Sequence, residues 1–334
     1  MRPMTLNSKR DETIGPGDPA PKGHGHQATK PTEIPPRGWW QILKRVVSQT
    51  SEDRLTTEAA AVTFYVLLSI FPGVAALVSL YGMVFDPDTV TQQIAMLEGV
   101  VPGGGLDLLT QQLQGLAATQ SSALSFGAIA GIATALWTSN QGTKAMFDAL
   151  NVVYEEKEKR SFIWRTAVTL LFTLCSIVFV IVSLAAVVGL PIVLNFVGLG
   201  AMNDLLLRLV RWPFLLAMIV VLLAALYRFG PSRKSPQWRW VTPGSILAAL
   251  VWVGGSVLFS WYVSRFGNYD ATYGSLGAVI GFMTWIWLSA TVVLVGGQLN
   301  AELEHQTEHD STIGRPKPMG RRGAVMADNV ARVA

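Results

Sequence analysis

The sequence predicts an all-α, polytopic membrane protein with six transmembrane helices and both termini in the cytoplasm. Three observations predict it. Half of the residues are hydrophobic and only 14% are charged, whereas soluble domains carry roughly a quarter charged residues. The apolar residues gather into runs that reach the roughly 20 helical residues needed to cross a bilayer core. Finally, an even number of crossings places nearly all Lys and Arg on one side, which the positive-inside rule assigns to the cytoplasm.

Residues 1–37 mix Pro, Gly and charge with little apolar material and read as a disordered cytoplasmic tail. They contain no apolar h-region of a signal peptide. The membrane domain spans 38–304. It opens with Trp39, Trp40, Ile42, Leu43, Val46 and Val47 set beside Lys44, Arg45 and Arg54, the pattern of an amphipathic helix in the inner interface. The first span runs from about Ala59 to Phe85. Pro72 within it has no N–H to give the carbonyl of Leu68, so a kink is expected. Glu58, Tyr65 and Ser69 share the face of Pro72, either as a polar path or as an ordinary kinked packing face.

Residues 86–122 hold no Lys or Arg and read as a periplasmic loop, with an amphipathic helix marked by Leu106, Leu109, Leu113 and Leu116. The second span, about Leu124 to Phe147, carries a seam of small and polar residues: Gly127, Gly131, Thr134, Thr138, Gln141, Ala145 and Asp148. Such a seam lets helix backbones approach closely. After a charged connection from Asn151 to Arg165, the third span (about Thr166 to Leu190) is almost uniformly apolar and reads as lipid-facing. Pro191 to Arg211 reads as a short connection. The fourth span, about Trp212 to Tyr227, ends at Arg228-Phe229-Gly230-Pro231. The fifth, about Thr242 to Tyr262, begins with the first-turn residue Pro243 and holds Gly254-Gly255 for close packing or a bend. The sixth is uncharged from Gly277 to Leu299, and its seam passes through Gly274, Gly277, Gly281, Thr284, Thr291, Gln298 and Glu302. Residues 305–334 read as a second disordered cytoplasmic tail.

With these spans, the N-terminal segment, Lys144 to Arg165, Arg228 to Arg239 and the tail from Arg315 share one side, while the other receives Arg208, Arg211 and Arg265. The second and sixth spans also match. Ser125, Gly127, Ala128, Gly131, Thr134, Trp137 and Ser139 correspond in identity and spacing to Ser275, Gly277, Ala278, Gly281, Thr284, Trp287 and Ser289. Both spans run inward, so a duplication would give a parallel repeat about the membrane normal. Convergent reuse of small residues at helix interfaces gives the same pattern.

Catalytic chemistry finds little support. A metal-dependent hydrolase gathers His, Asp or Glu around metal and water, yet the four histidines, His24, His26, His305 and His309, all fall in the tails. His305 and His309 stand at i, i+4 spacing beside Glu304, Glu308 and Asp310, which reads as a solvated polar tail rather than a metal site. No His lies near the membrane serines for a triad, and no phosphate-binding Gly-x-x-x-x-Gly-Lys-Ser/Thr loop occurs. The lone Cys175 lies in an apolar run. No enzyme activity, metal or cofactor is expected.

Four ordered stretches resemble the YihY/virulence factor BrkB family. They are Ala59 to Tyr65 continued by Ser69-Ile70-Phe71-Pro72, Leu136-Trp137 with Asp148-Ala149-Leu150-Asn151, Leu226 to Pro231, and Tyr273 to Ala278. The resemblance covers about Trp39 to Glu304. It implies a bacterial cytoplasmic (inner) membrane protein with six spans. It carries an old ribonuclease BN label and, for one branch, an association with serum resistance, but no activity that can be placed on particular residues.

Two functions remain in view. The first is a transporter of the envelope that translocates lipid or an apolar solute, with a candidate path through Glu58, Tyr65, Asn140, Gln141, Asp148, Tyr273, Gln298 and Glu302. Its helix-packing glycines would be Gly127, Gly131, Gly277 and Gly281, and Pro72 its kink. The spans carry no deeply placed charge of the sort ion-coupled carriers use, which a lipid path does not require. The second is a non-catalytic scaffold for envelope biogenesis, in which the seams are packing alone. The expected partners are the phospholipid bilayer, a lipid or apolar solute, and a second copy or an envelope protein; nucleic acid is not expected.

Overall fold

The computed structural model describes residues 23–84, 121–184, 200–266 and 275–331. Among them are eight α-helices: α1 (Pro36–Glu52), α2 (Leu55–Val84), α3 (Ser121–Val153), α4 (Phe162–Leu184), α5 (Gly200–Phe229), α6 (Trp238–Phe266), α7 (Ser275–His305) and α8 (Val325–Asp328). A 3-10 turn at Pro31–Glu33 precedes them. Four of the described helices contain segments long and apolar enough to cross a membrane: Phe162–Phe179, Trp212–Phe229, Trp238–Tyr262 and Val279–His305. Leu55–Ser69 is a shorter apolar stretch at the start of α2. The described residues thus form an all-helical bundle whose long apolar helices fit a polytopic membrane protein.

Helix α1 starts on Pro36, where a missing N–H costs nothing. It buries Gly38, Ile42, Val46 and Gln49, spaced by four, four and three residues and therefore on one face. Trp40, Leu43 and Val47 stay exposed on the other. An interfacial helix has this division, with an apolar outer face available to lipid. Arg54, in the left-handed region at φ 52°, turns the chain from α1 into α2.

Helix α7 is the hub of the bundle, touching α1, α2, α3, α6 and α8. Helix α2 lies along α3, α5 along α6, and α4 against α3 at the periphery, with Leu171, Leu174 and Val178 exposed. Among the described residues, the buried core draws on α2, α3, α5, α6 and α7. Leu55, Ala59 and Val62 of α2 meet Leu150 and Val153 of α3, Tyr227 of α5, Ala248 of α6 and Leu294 of α7. A second cluster joins α1 to the ends of α6 and α7 through Ile42, Val46, Trp240, Leu299 and Leu303.

Helices α6 and α7 approach each other closely. A Cβ on Gly244 would run into the carbonyl oxygen of Gly296 and the amide of Asn300. Asn300 uses the gap. Its Oδ1 accepts from Gly244 N–H (2.8 Å) and its Nδ2 donates to the Val241 carbonyl (3.0 Å).

Several expectations are corrected. Residues 23–35 and 305–331 are folded, not disordered tails. Gln306 Nε2 donates to the His24 carbonyl, Glu308 N–H to the His26 carbonyl, and Thr307 Oγ1 to the Ala28 carbonyl. Arg322, buried, donates to the carbonyls of Lys317, Ala327 and Glu308. The tails read separately lack a core; together they meet the open end of α7, whose last carbonyls need partners, as when Ala331 N–H donates to His305 O (2.9 Å). Residues 200–211 are not a connection but the first turns of α5. Among the described residues nothing stands within 4 Å of a Cβ on Gly254 or Gly255, and α6 runs through them without interruption. The loop at 86–122 lies outside the described residues except for its last two positions, which begin α3.

Candidate functional site at the charged end of the bundle

The N-terminal segment, the end of α3, the start of α4, the α5–α6 turn and the end of α7 converge. The cations that the sequence sorts to one side thus meet at one end of the bundle. Arg233, in the turn after α5, forms a two-point bond with Glu304 of α7: Nη1 to Oε2 at 2.8 Å and Nη2 to Oε1 at 2.9 Å, both side chains fully buried. Its guanidinium lies 4.0 Å from the centre of the Tyr154 ring at the end of α3. Burial works to lower the pKa of Arg233, but the Glu304 carboxylate outweighs it and raises the value further. Ser311 Oγ donates to Glu304 Oε2 (2.8 Å), completing the carboxylate's shell.

Beside it, Arg45 of α1 donates from Nε to Glu302 Oε2 (2.6 Å) and from Nη2 to Gln306 Oε1 (2.6 Å). Gln298 Nε2 donates to the other oxygen of Glu302 (3.3 Å). On the far side, Arg165 Nη2 reaches both oxygens of Asp148 (2.7 Å each), and Glu58 is close enough to Asp148 to feel its charge.

The α3–α4 connection is clamped to the end of α5. Glu158 takes three bonds from Arg160, which in turn donates to the carbonyls of Phe229 and Gly230. Burial works to raise the pKa of Glu158, but the Arg160 bonds and charge prevail and hold it at about 2. Asn151 Oδ1 accepts from Ser232 N–H (2.7 Å), and Lys159 N–H donates to Ser232 Oγ (2.9 Å).

The candidate path residues separate under this geometry. Gln298 and Glu302 are brought together, and Glu58 comes near Asp148. Glu302 and Asp148 are each held in an ion pair. Asn140 is fully buried on α3 with neither amide atom partnered among the described residues, and Gln298 Oε1 is buried without a partner among them as well. Gln141 is partly exposed. Tyr65 is exposed, with its ring edge-on to Phe64 at 5.4 Å. Tyr273 lies outside the described residues. Gly127, Gly131 and Gly277 lie within α3 and α7, and Pro72 within α2, but their surroundings and any kink are outside what is described.

Gly281 differs from the expectation: among the described residues nothing stands within 4 Å of a Cβ built on it, so it makes no close helix contact with them. Close approach falls instead to Gly244 and Gly296. The solvated tail also gives way to packing, with His305 Nδ1 lying 3.7 Å from Glu302. Among the described residues, no group of three or more His, Cys, Asp or Glu is placed to hold a metal ion. The two matched helices differ in use: Trp287 Nε1 donates to the Thr56 carbonyl, whereas Trp137 lies under the Lys144 ammonium.

Sequence reading missed Arg233, Tyr154, Asn151 and Ser232. A signal was present: Leu226 to Pro231 and Asp148 to Asn151 stand out as motifs, and they meet here. Tyr227 Oη donates to the Val293 carbonyl, and Gly230 sits so close to Leu150 that a Cβ would touch its methyl at 2.9 Å.

Comparison with known proteins finds relatives over most of the chain. The virulence factor BrkB family matches residues 46–319. YfkH of Bacillus subtilis, named a ribonuclease-like protein, is 31% identical over 272 residues, covering 78% of this chain and 94% of that protein. The UPF0761 membrane protein PSHAa0171 of Pseudoalteromonas translucida is 25% identical over 281 residues, covering 82% and 88% respectively. The UPF0761 membrane protein MS0032 of Mannheimia succiniciproducens is 28% identical over 256 residues, covering 75% and 85%. No solved structure matches the chain.

Proposed function

The chain belongs to the virulence factor BrkB family, and on that premise we propose that it is an inner-membrane protein of the bacterial envelope that translocates a lipid or an apolar solute with a polar end. In this reading it crosses the membrane six times with both termini in the cytoplasm. The gathering of Arg45, Lys144, Arg160, Arg165, Arg228 and Arg233 at one end of the bundle supports that orientation.

The observation that carries the translocation reading is Asn140. A fully buried amide with both polar atoms unpartnered is costly in an apolar bundle unless water or a solute meets it. Gln298 Oε1 presents the same demand on α7. Two such groups support a polar route through these helices. The reading assigns no catalytic role to any residue and involves no nucleic acid. The ribonuclease wording in the name of YfkH is not carried over, because Glu302, Glu304, Asp148 and Glu158 are committed to ion pairs rather than gathered for metal and water.

The same pairs favour the second reading, a non-catalytic scaffold for envelope biogenesis. A path in which two of the three acidic members, Glu302 and Asp148, are locked to Arg45 and Arg165 is also what a rigid support would show.

Reconstitution separates the two. Vesicles containing the full chain and a fluorescently tagged phospholipid should show protein-dependent movement between leaflets, and Asn140→Leu and Gln298→Leu should abolish it while eluting as folded protein. Absence of movement with the wild-type chain sinks translocation of lipid, and unchanged movement in both variants removes these amides from the route.

A further inference from the structure

We propose that Arg228, stacked against Trp238 at the charged end of the bundle, binds the headgroup phosphate of an anionic phospholipid. The inference rests on this end lying at a bilayer surface; it does not depend on translocation.

The neighbouring arginines set the contrast. Arg45, Arg160, Arg165 and Arg233 each have a carboxylate partner: Glu302, Glu158, Asp148 and Glu304. Arg228 has none among the described residues. Its Nε and Nη1 are enclosed without a hydrogen-bond partner, and its guanidinium carbon lies 4.4 Å from the Trp238 ring centre and 5.4 Å from that of Phe229. The adjoining carbonyls of Phe229 and Gly230 accept from Arg160. A charged group enclosed without compensation is expensive and calls for an anion.

The surroundings indicate which anion. Phe229 and Trp238 are exposed, stack edge-on at 6.1 Å, and stand at the ends of α5 and α6 where those helices leave their apolar segments. Exposed aromatic residues at that depth belong in the interfacial zone of a bilayer. The face continues around the same end: Lys44 lies 5.8 Å from the Trp40 ring, and Lys144 lies 5.4 Å from the rings of both Trp137 and Phe162. Arg239, next to Trp238, is exposed and adds positive charge.

A guanidinium stacked on rings keeps its donors in the plane of its edge, suited to the oxygens of a phosphate. Arg228 is partly exposed, so a phosphate oxygen meets the open edge first, and a small swing of this long side chain brings in the two enclosed donors. The net negative charge of an anionic lipid is needed because the site collects uncompensated cations; a zwitterionic headgroup brings its own ammonium into the same space.

The test is lipid retention by the full chain in detergent, read by native mass spectrometry with phosphatidylglycerol against phosphatidylcholine of the same acyl chains. The wild-type chain should retain phosphatidylglycerol preferentially. Arg228→Gln should lose that preference about tenfold, and Lys157→Gln, which removes an exposed charge elsewhere at this end, should keep it. Equal retention of both lipids by the wild-type chain, an unaffected Arg228→Gln, or an equal loss in Lys157→Gln would each overturn the site. Should Arg228→Gln fail to fold, brominated lipids replace it as the test. The Trp238 share of emission, taken as wild type minus Trp238→Phe, should be quenched more by brominated phosphatidylglycerol than by brominated phosphatidylcholine, and equal quenching overturns the proposal.

Discussion

Arg233 and Glu304 meet end to end, two nitrogens on two oxygens at 2.8 and 2.9 Å, with neither side chain exposed to solvent. The pair fastens the α5–α6 turn to the last turn of the hub helix α7. Removing one partner leaves a buried charge alone, which costs about 3–5 kcal/mol, whereas replacing both with apolar side chains of similar size is far less costly. Arg233→Met and Glu304→Leu should therefore each lower stability strongly, and the double variant should recover most of the loss. Denaturant unfolding in detergent micelles checks this, and additive single effects in the double variant would remove the coupling.

Gly244 is held against Gly296 and Asn300 with no room for a methyl group. Gly244→Ala should destabilise the bundle by about 1–3 kcal/mol, the usual cost of overpacking. Gly254→Ala and Gly255→Ala, whose new Cβ atoms meet nothing within 4 Å among the described residues, should be neutral or gain up to about 1 kcal/mol from helix propensity. Thermal unfolding of the three variants in one detergent compares them. A Gly244→Ala chain as stable as wild type would show that α6 and α7 are not pressed together there.

The Glu158 clamp predicts a pH dependence. Its folded-state pKa is held at about 2, below the ordinary 4.5, so its contribution is present above the ordinary value and is lost as pH falls from 4.5 toward 2. Over that window the Arg160 amide, which donates to Glu158 Oε1 (2.9 Å), should lose hydrogen-exchange protection. Glu158→Gln should be poorly protected at every pH, with no acid-dependent change. A wild-type protection factor constant from pH 6 to pH 2 would contradict the clamp.

Much of the arrangement was legible in the sequence because lipid enforces it. Backbone groups inside a bilayer must be satisfied within their own helix, so long uncharged runs become helices whatever their neighbours. That constraint marks the apolar segments of α4 to α7, and the sorting of cations correctly gathers Lys144, Arg165, Arg228 and Arg233 at one end. The face spacing of Ile42 and Val46 likewise gives α1. Where polar residues are placed by packing instead, the reading fails. Glu302 looks like part of an open path and is sealed by Arg45, 257 positions away in the chain. Gly281 looks like a contact and meets none among the described residues.

The pattern of apolar runs and cations by itself determined that this is a helical membrane protein with one charged end, because transfer of each side chain between water and lipid is a local property. Only the tertiary structure decided that Arg233 pairs with Glu304, that Asn140 finds no partner among the described residues, and that the segments before α1 and after α7 fold onto each other. Those outcomes depend on which distant groups share a small volume, and the distance dependence of charge and hydrogen bonding makes them invisible until the chain is folded.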